Sequence, residues 1–326
     1  MDLHQLIAPW NIPGPITFRQ LDTGYINTIY AVEAPTGKYV LRVYKEAGYL
    51  PRILQEHRVA VWLQQAGLSF AVPAPIPTAG GETLANVDGR HVALIPFLPG
   101  VHPTPDNLPQ VEAAGAALGE LVTVLSRMEP RVAGTDIPQY RDLAADVDPL
   151  TITEWAPMEP DWRPRIRQVV ESVLEKAPVL YDRLPRQVIH GDFTDGNILL
   201  EGNRVTGIFD FEFATCDLRA MDYAVMIGGG PCSLRKGWGE WPVLETLSRG
   251  YFRHHKLTEP ELAALPDLIR LRRVNILLRF AGRYRQGLDP ASVAEGMAWW
   301  TLHAEDWLNA RGAELVQRAA DWVKLP

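Results

Sequence analysis

The stretch VIHGDFTDGNILLEGNRVTGIFDFEF, Val188 to Phe213, sets His190, Asp192, Asp195, Asn197, Asp210 and Glu212 among apolar residues that read as strands. Acids and amides beside runs such as Ile198-Leu199-Leu200 or Gly207-Ile208-Phe209 are costly to desolvate unless something binds them. The spacing predicts strand, tight turn, strand: Asn197–Leu200, the turn residues EGNR, then Val205–Phe211. Asn197 and Asp210 then fall at the same end of one hairpin. Asp192 lies five residues before Asn197, on the loop that enters it. Asp195-Gly196 suits turn chemistry.

An amide oxygen and a carboxylate are the ligands a hard cation such as Mg²⁺ takes alongside waters and phosphate oxygens. A nearby carboxylate that is not a ligand can accept a proton from a hydroxyl. Phosphoryl transfer uses these parts: an Asp facing the acceptor, an Asn and a second Asp for Mg²⁺, and a cation on the α/β-phosphates. DFTDGN reproduces the D-x-x-x-x-N spacing of that catalytic loop. A hairpin with merely solvated acids is the competing reading.

The chain's 326 residues suit two lobes. The first hundred residues read mainly as strand, around Ile16–Leu21, Ile29–Ala34 and Tyr39–Tyr44, with a hairpin turned at VDGR and a strand ending at Ile95–Leu98. A helix is expected over Pro51–Gln65, with Glu56 on its apolar stripe beside Ile53 and Ala60, a position where a carboxylate needs a cationic partner. LPGVHPTPDNLP carries four prolines and a glycine and marks the lobe boundary. The expected lobes are 1–98, for nucleotide, and 99–326, for catalysis and acceptor. Helices are expected near 110–128, 163–176, 217–227, 240–256, 260–285 and 290–320, and 130–162 reads as an irregular insert. The fold class is therefore α+β, a small antiparallel sheet followed by a larger helical lobe.

The motifs HGDFTDGN and GIFDFEF at this separation resemble the aminoglycoside phosphotransferase/choline kinase-like family, small-molecule kinases with a bilobal, protein-kinase-like fold. The resemblance implies ATP and Mg²⁺ as cofactors, Asp192 as catalytic residue, and Asn197 and Asp210 as metal ligands. It implies a phosphate-binding cation at Arg42, paired with Glu56. The residues alone leave Lys45 open as well, on the opposite side of the strand. Gly24, in LDTGYINTIY, would lie over the phosphates. Pro96, through its carbonyl, and Leu98, through its amide, would meet the adenine. Asp222 is expected to brace the catalytic loop, Asp217 to cap the following helix, and His190 to be an internal hydrogen-bonding residue. The role of Glu212 stays open between support of the metal site and contact with the acceptor. Gly191 replaces the arginine that reads activation-loop phosphate in protein kinases, so no phosphorylation switch is expected.

The acceptor is a small-molecule hydroxyl. GYINTIY, FLPG and DFEFATCDLRAMDYAV also resemble type II homoserine kinases, and a homoserine-like amino alcohol is the leading expectation. MIGGGPC departs from the Asn-Asp-Trp expected there. Arg272, Arg279 and Arg283 would bind a carboxylate if the acceptor is an amino acid; otherwise they are surface charges. An aminoglycoside would need acids such as those in 136–161, Glu295, Glu305 and Asp306. A catalytically silent nucleotide-binding relative is the other alternative. A net charge of −7 argues against a nucleic-acid partner. Two cysteines, Cys216 and Cys232, read as free thiols. Neither a signal peptide nor an apolar run near the roughly 18 residues of a membrane helix is evident, so the expected location is the cytoplasm.

Overall fold

A computed structural model describes residues 2–21, 27–44, 50–134, 137–229 and 237–325. Thr23, Gly24, Lys45 and Cys232 lie outside the described residues.

The amino-terminal part is built on a five-stranded antiparallel sheet: β1 (Thr17–Leu21), β2 (Thr28–Ala34), β3 (Gly37–Val43), β4 (Ala85–Val87) and β5 (Arg90–Pro96). The order across it is β1-β2-β3-β5-β4. Asp88 and Gly89 both take positive φ, 51° and 75°, between the paired residues Val87 and Arg90. A two-residue turn with that backbone matches the twist of its strands, which is why Asp-Gly sits there. Val32, Leu41, Val92 and Leu94 are fully buried on one face, against Leu6, Ile7 and Trp10. Leu6 and Ile7 come from α1 (Leu3–Ile7), a helix too short for its periodicity to show in the sequence. Helix α2 (Leu50–Gln64) lies within a residue of its expected span and buries Ile53, Glu56, Val59, Ala60 and Leu63.

The linker after β5 is tied to both parts of the chain. The Phe97 amide donates to the Lys38 carbonyl at 3.2 Å, and Val101 and Leu200 exchange two backbone bonds of 2.9 Å. Beyond it come α3 (Leu108–Leu125), α4 (Pro130–Ala133), α5 (Ile152–Trp155) and α6 (Arg163–Arg183). Next are the strands β6 (Arg186–Ile189), β7 (Ile198–Glu201), β8 (Arg204–Ile208) and β9 (Thr215–Leu218). The chain ends with α7 (Met221–Gly229), α8 (Trp241–Phe252), α9 (Glu259–Ala263), α10 (Leu265–Arg285) and α11 (Ala291–Trp322).

Several elements differ from expectation for local physical reasons. Residues 215–218 form a strand paired with β6 and not the start of a helix, because Cys216 opposes Val188 and the buried Asp217 is held by hydrogen bonds. The helix begins three residues later, at Met221. The expected helix 260–285 breaks at Ala264, where Pro266 starts α10 anew. Strand β8 stops at Ile208, since Asp210 has a φ of 70° and cannot extend the ladder.

Helices α3 and α8 approach so closely that glycine is required at their crossing. A Cβ on Gly250 would stand 2.2 Å from the Glu112 carbonyl oxygen, and one on Gly115 would stand 2.0 Å from that of Leu247. These obstacles are backbone, so they cannot rotate away. Gly250→Ala is expected to destabilise the protein by at least about 1–3 kcal/mol, the usual cost of overpacking. Urea denaturation reads this, and an unchanged midpoint would mean that the two helices separate at little cost.

Candidate active site

The catalytic stretch is held from below by a buried carboxylate. Asp222, in the first turn of α7, accepts from the His190 amide at 2.8 Å and the Gly191 amide at 2.9 Å. Burial pushes the Asp222 carboxyl up to about 7, although both amide bonds favour the ionised form. His190 is fully buried; its Nδ1 accepts from the Asp192 amide at 3.2 Å, so Nε2 carries the proton facing the Phe209 carbonyl at 3.1 Å. Burial lowers its pKa to about 4, consistent with a neutral ring. Gly191 has a φ of 81°, and a Cβ there would stand 2.3 Å from the Phe213 carbonyl oxygen. Only glycine fits.

Asp195–Asn197 make one turn of 3₁₀ helix before β7. The Asn197 side-chain NH₂ donates to the Asp192 carbonyl at 2.9 Å, which turns its Oδ1 the other way. Ile198 pairs with Ile208, and the Phe209 amide donates to the Asn197 carbonyl at 3.1 Å. Asn197 and Asp210 therefore do lie at one end of the hairpin.

From the sheet above, Arg42 reaches this end. Its Nη1 meets Glu56 at 2.7 Å, and its Nη2 meets Glu212 at 3.1 Å and Asp210 at 3.4 Å. Asn27 holds the same guanidinium: with its amide turned to suit the network, its oxygen accepts from Nη2 at 2.9 Å and Nε at 3.1 Å. The Tyr44 ring lies 5.2 Å below. Burial alone would lower the Arg42 pKa, but Glu56, Asp210 and Glu212 raise it well above the ordinary arginine value. Burial pushes Glu56 up and Arg42 opposes this. Glu212 is pushed up to about 8 by burial and by Asp210 beside it, with Arg42 pulling the other way. Pro96 closes β5 three residues along from Ala93, the partner of Arg42, or about 10 Å away at strand spacing. Leu98 follows on the linker, its Cδ1 covering Gly207 of β8.

A cleft opens beside Gly191 and Glu212. Its walls include Gly191, Phe213, Tyr140 and, on α10, Arg272, Asn275 and Arg279. Arg272 is 80 residues from Asp192 in sequence, yet its Nη2 is ion-paired with Asp192 Oδ1. Its guanidinium lies 5.4 Å over the Tyr140 ring, and the Tyr140 hydroxyl donates to the Gly191 carbonyl. Burial raises the Asp192 carboxyl above its ordinary range, while Arg272 draws it down. Tyr140 is fixed in turn by Asp217, which accepts from its amide at 2.7 Å, from the Leu218 amide at 2.6 Å and from the Tyr181 hydroxyl at 2.5 Å. Asp217 thus organises the cleft wall and caps no helix.

The structure brings Asp192, Asn197, Asp210, Arg42 and Glu56 together; Gly24 lies outside the described residues. Asn27 and Tyr140 had no signal in the sequence beyond membership of a loop and of an irregular segment. The sequence leaves Arg272 open between a carboxylate ligand and a surface charge; in the structure it is largely shielded and paired with Asp192. Arg283 pairs with Asp289 at 2.6 Å. Glu305 pairs with Arg270 at 2.7 Å and Asp306 with Arg165, away from the cleft. Trp241, Trp307 and Trp322 pack on one another, and no tryptophan lines the cleft among the described residues.

Residues 17–265 match the sequence profile of the phosphotransferase enzyme family. The homoserine kinase of Phenylobacterium zucineum (strain HLK1) is 29% identical over 276 residues, 82% of this chain and 80% of that protein. The homoserine kinase of Rhodopseudomonas palustris (strain BisB5) is 27% identical over 295 residues, 85% and 82% of the two chains. The solved structure of a microcompartment-associated aminopropanol kinase superposes with a TM-score of 0.72 at 19% identity, over 96% of this chain and 98% of that one. An amicoumacin kinase in complex with AMP-PNP and Ca²⁺ gives 0.67 at 17% identity, over 93% and 92%. At these identities the structural likeness is one of fold, a bilobal protein-kinase-like arrangement of sheet and helices. Among the described residues no helix is long and apolar enough to cross a membrane. The chain belongs to the phosphotransferase enzyme family, and it is an enzyme that phosphorylates a hydroxyl group of a small molecule.

Proposed function

We propose that the protein is an ATP- and Mg²⁺-dependent kinase whose acceptor is a homoserine-like amino alcohol. The observation that carries this reading is the convergence of Asp192, Asn197 and Asp210 at one hairpin end facing the buried Arg42–Glu56 pair. The lobe 1–98 would hold the nucleotide and the lobe 99–326 the acceptor.

The metal site passes a test of donor chemistry. Asn197 Oδ1 and the Asp210 carboxylate are hard oxygen donors, and Asp210 meets Arg42 only at 3.4 Å. Among the described residues no three His, Cys, Asp or Glu side chains cluster to cage a metal unaided. Two donors suit Mg²⁺, which keeps waters and takes phosphate oxygens as its other ligands. Bound there, the ion would offset charge on the β- and γ-phosphates.

The chain's own residues would do the rest. Arg42, oriented by Glu56 and Asn27, would turn to the α/β-phosphates, and Pro96 and Leu98 would meet the adenine through main-chain groups. Asp192 would accept the proton as the acceptor oxygen bonds to the γ-phosphorus. The bond from that phosphorus to the β–γ bridging oxygen breaks, and ADP leaves. Tyr140 and Asp222 would keep the Asp192 loop in register.

The cleft favours a small acceptor. Its cavity volume is about 100 Å³, below the roughly 300–1,000 Å³ of drug-sized sites. Of the acids a polycationic aminoglycoside would use, Glu305 and Asp306 are held in ion pairs elsewhere, whereas Asp142 and Asp146 line the cleft. Both relatives above are homoserine kinases by name. ADP release, measured with Mg²⁺-ATP against homoserine, other hydroxy-amines and aminoglycosides, tests the acceptor. Turnover with homoserine or a close hydroxy-amine is expected. Turnover of an aminoglycoside with homoserine inert would overturn the acceptor, and ATP binding with every acceptor inert would overturn the kinase reading.

A further inference from the structure

Helix α10 presents a row of polar side chains to the cleft. Arg272, Asn275, Arg279 and Arg283 are spaced i, i+3, i+7 and i+11, so they share one face, and all four line the cleft beside Gly191 and Glu212. Arg283 is satisfied by Asp289. Arg279 is held with its guanidinium 4.1 Å over the Phe213 ring, next to the catalytic stretch. Arg272 is half-buried, with 14% of its side chain exposed, held over the Tyr140 ring, and paired with Asp192. A guanidinium on the residue that should receive the acceptor's proton is a paradox for catalysis. It occupies a carboxylate oxygen that the hydroxyl needs, and it lowers that carboxylate's affinity for a proton.

We infer that the Arg272–Asn275–Arg279 face of α10 is the acceptor's carboxylate subsite, and that Arg272 caps Asp192 until an acceptor carboxylate draws it away. The inference rests on the kinase reading above and names the part of the substrate that reading leaves open. A carboxylate is the fitting group for three reasons. Guanidinium groups bind carboxylates through paired, charge-assisted hydrogen bonds. Arg272 already has a carboxylate partner in a buried setting, so only a comparable anion replaces it without stranding its charge. The Asn275 amide supplies a further donor one turn along. The exchange leaves Arg272 paired throughout and releases Asp192 to receive the hydroxyl. Hydroxyl compounds without a carboxylate meet a capped base, so selectivity for the acid is expressed in turnover as well as in binding.

The test compares two acceptors in wild-type protein and Arg272→Met: homoserine, and the amino alcohol that remains when its carboxyl is replaced by hydrogen. Wild type should favour homoserine in kcat/KM. Arg272→Met should lower kcat/KM for homoserine about 10- to 100-fold, the range expected for a lost charged hydrogen bond. It should speed the decarboxylated acceptor, because Asp192 is uncapped, and an unchanged rate overturns the cap. A purely structural role would lower both together, and that result overturns the inference. So does a wild-type preference for the decarboxylated acceptor. Phosphorylation by wild type of some other acceptor class, with homoserine inert, overturns the carboxylate subsite while leaving the kinase reading standing. If Arg272→Met does not fold, Arg279→Met decides by calorimetry with the amino acid that lacks only homoserine's hydroxyl. Binding to wild type and at least about tenfold weaker binding to the variant is expected, and equal binding overturns the inference.

Discussion

Asp192→Asn should reduce kcat by about 10²–10⁴-fold, the range general-base catalysis contributes, and should leave ATP affinity within a factor of about two. The amide keeps the size and most hydrogen bonds of the carboxylate but cannot accept the hydroxyl proton. Asp192 is ion-paired with Arg272, whereas Arg42 is held by Glu56, Glu212 and Asp210. Nucleotide binding should therefore be spared. ADP release gives the rate and calorimetry with a non-hydrolysable ATP analogue gives the affinity. A variant that turns over at the wild-type rate would remove Asp192 from the chemistry. A variant that loses both turnover and nucleotide would show a collapsed site instead.

Asp222→Ala should have the largest effect on stability among the site residues. Asp222 is fully buried and satisfies two amides, those of the buried residues His190 and Gly191. Each donor left unmatched costs about 1–3 kcal/mol, so the loss should be about 2–6 kcal/mol. Activity should fall well before global unfolding, because the amides that lose their acceptor directly precede Asp192. Urea denaturation with parallel assays reads both. A loss within the roughly 0.5 kcal/mol typical of surface changes would mean that the loop holds its shape without this carboxylate.

The parts of the site that were legible in the sequence are those encoded locally. Asn197 and Asp192 are five residues apart, and the hairpin that returns Asp210 is short enough for its turn to be read. Arg42 and Glu56 are 14 residues apart; the apolar stripe of α2 marks Glu56 as needing a cation, and the family resemblance favours Arg42 over Lys45 as that cation. The antiparallel sheet followed by helices was legible for the same reason. What could not be read depends on distant packing. The Arg272–Asp192 pair spans 80 residues, and nothing in the repeat of α10 marks which of its arginines meets Asp192. Tyr140 sits in a segment with no period at all, and its place is set by Asp217, 77 residues on. Asp217 itself invited a helix-cap reading, because an aspartate ahead of an apolar helical run is the usual cap signal. A four-residue strand paired with β6 overrode it.

We propose that these side chains form one site that moves the γ-phosphoryl group of ATP to an acceptor hydroxyl with Mg²⁺ present. The most direct measurement is ³¹P NMR of the purified protein with ATP and homoserine, run with Mg²⁺ and again with the divalent ion chelated. A new phosphomonoester resonance should rise in step with ADP when Mg²⁺ is present, with no change without it. ADP appearing with inorganic phosphate and no phosphomonoester, or a phosphomonoester that forms equally well after chelation, would contradict this proposal.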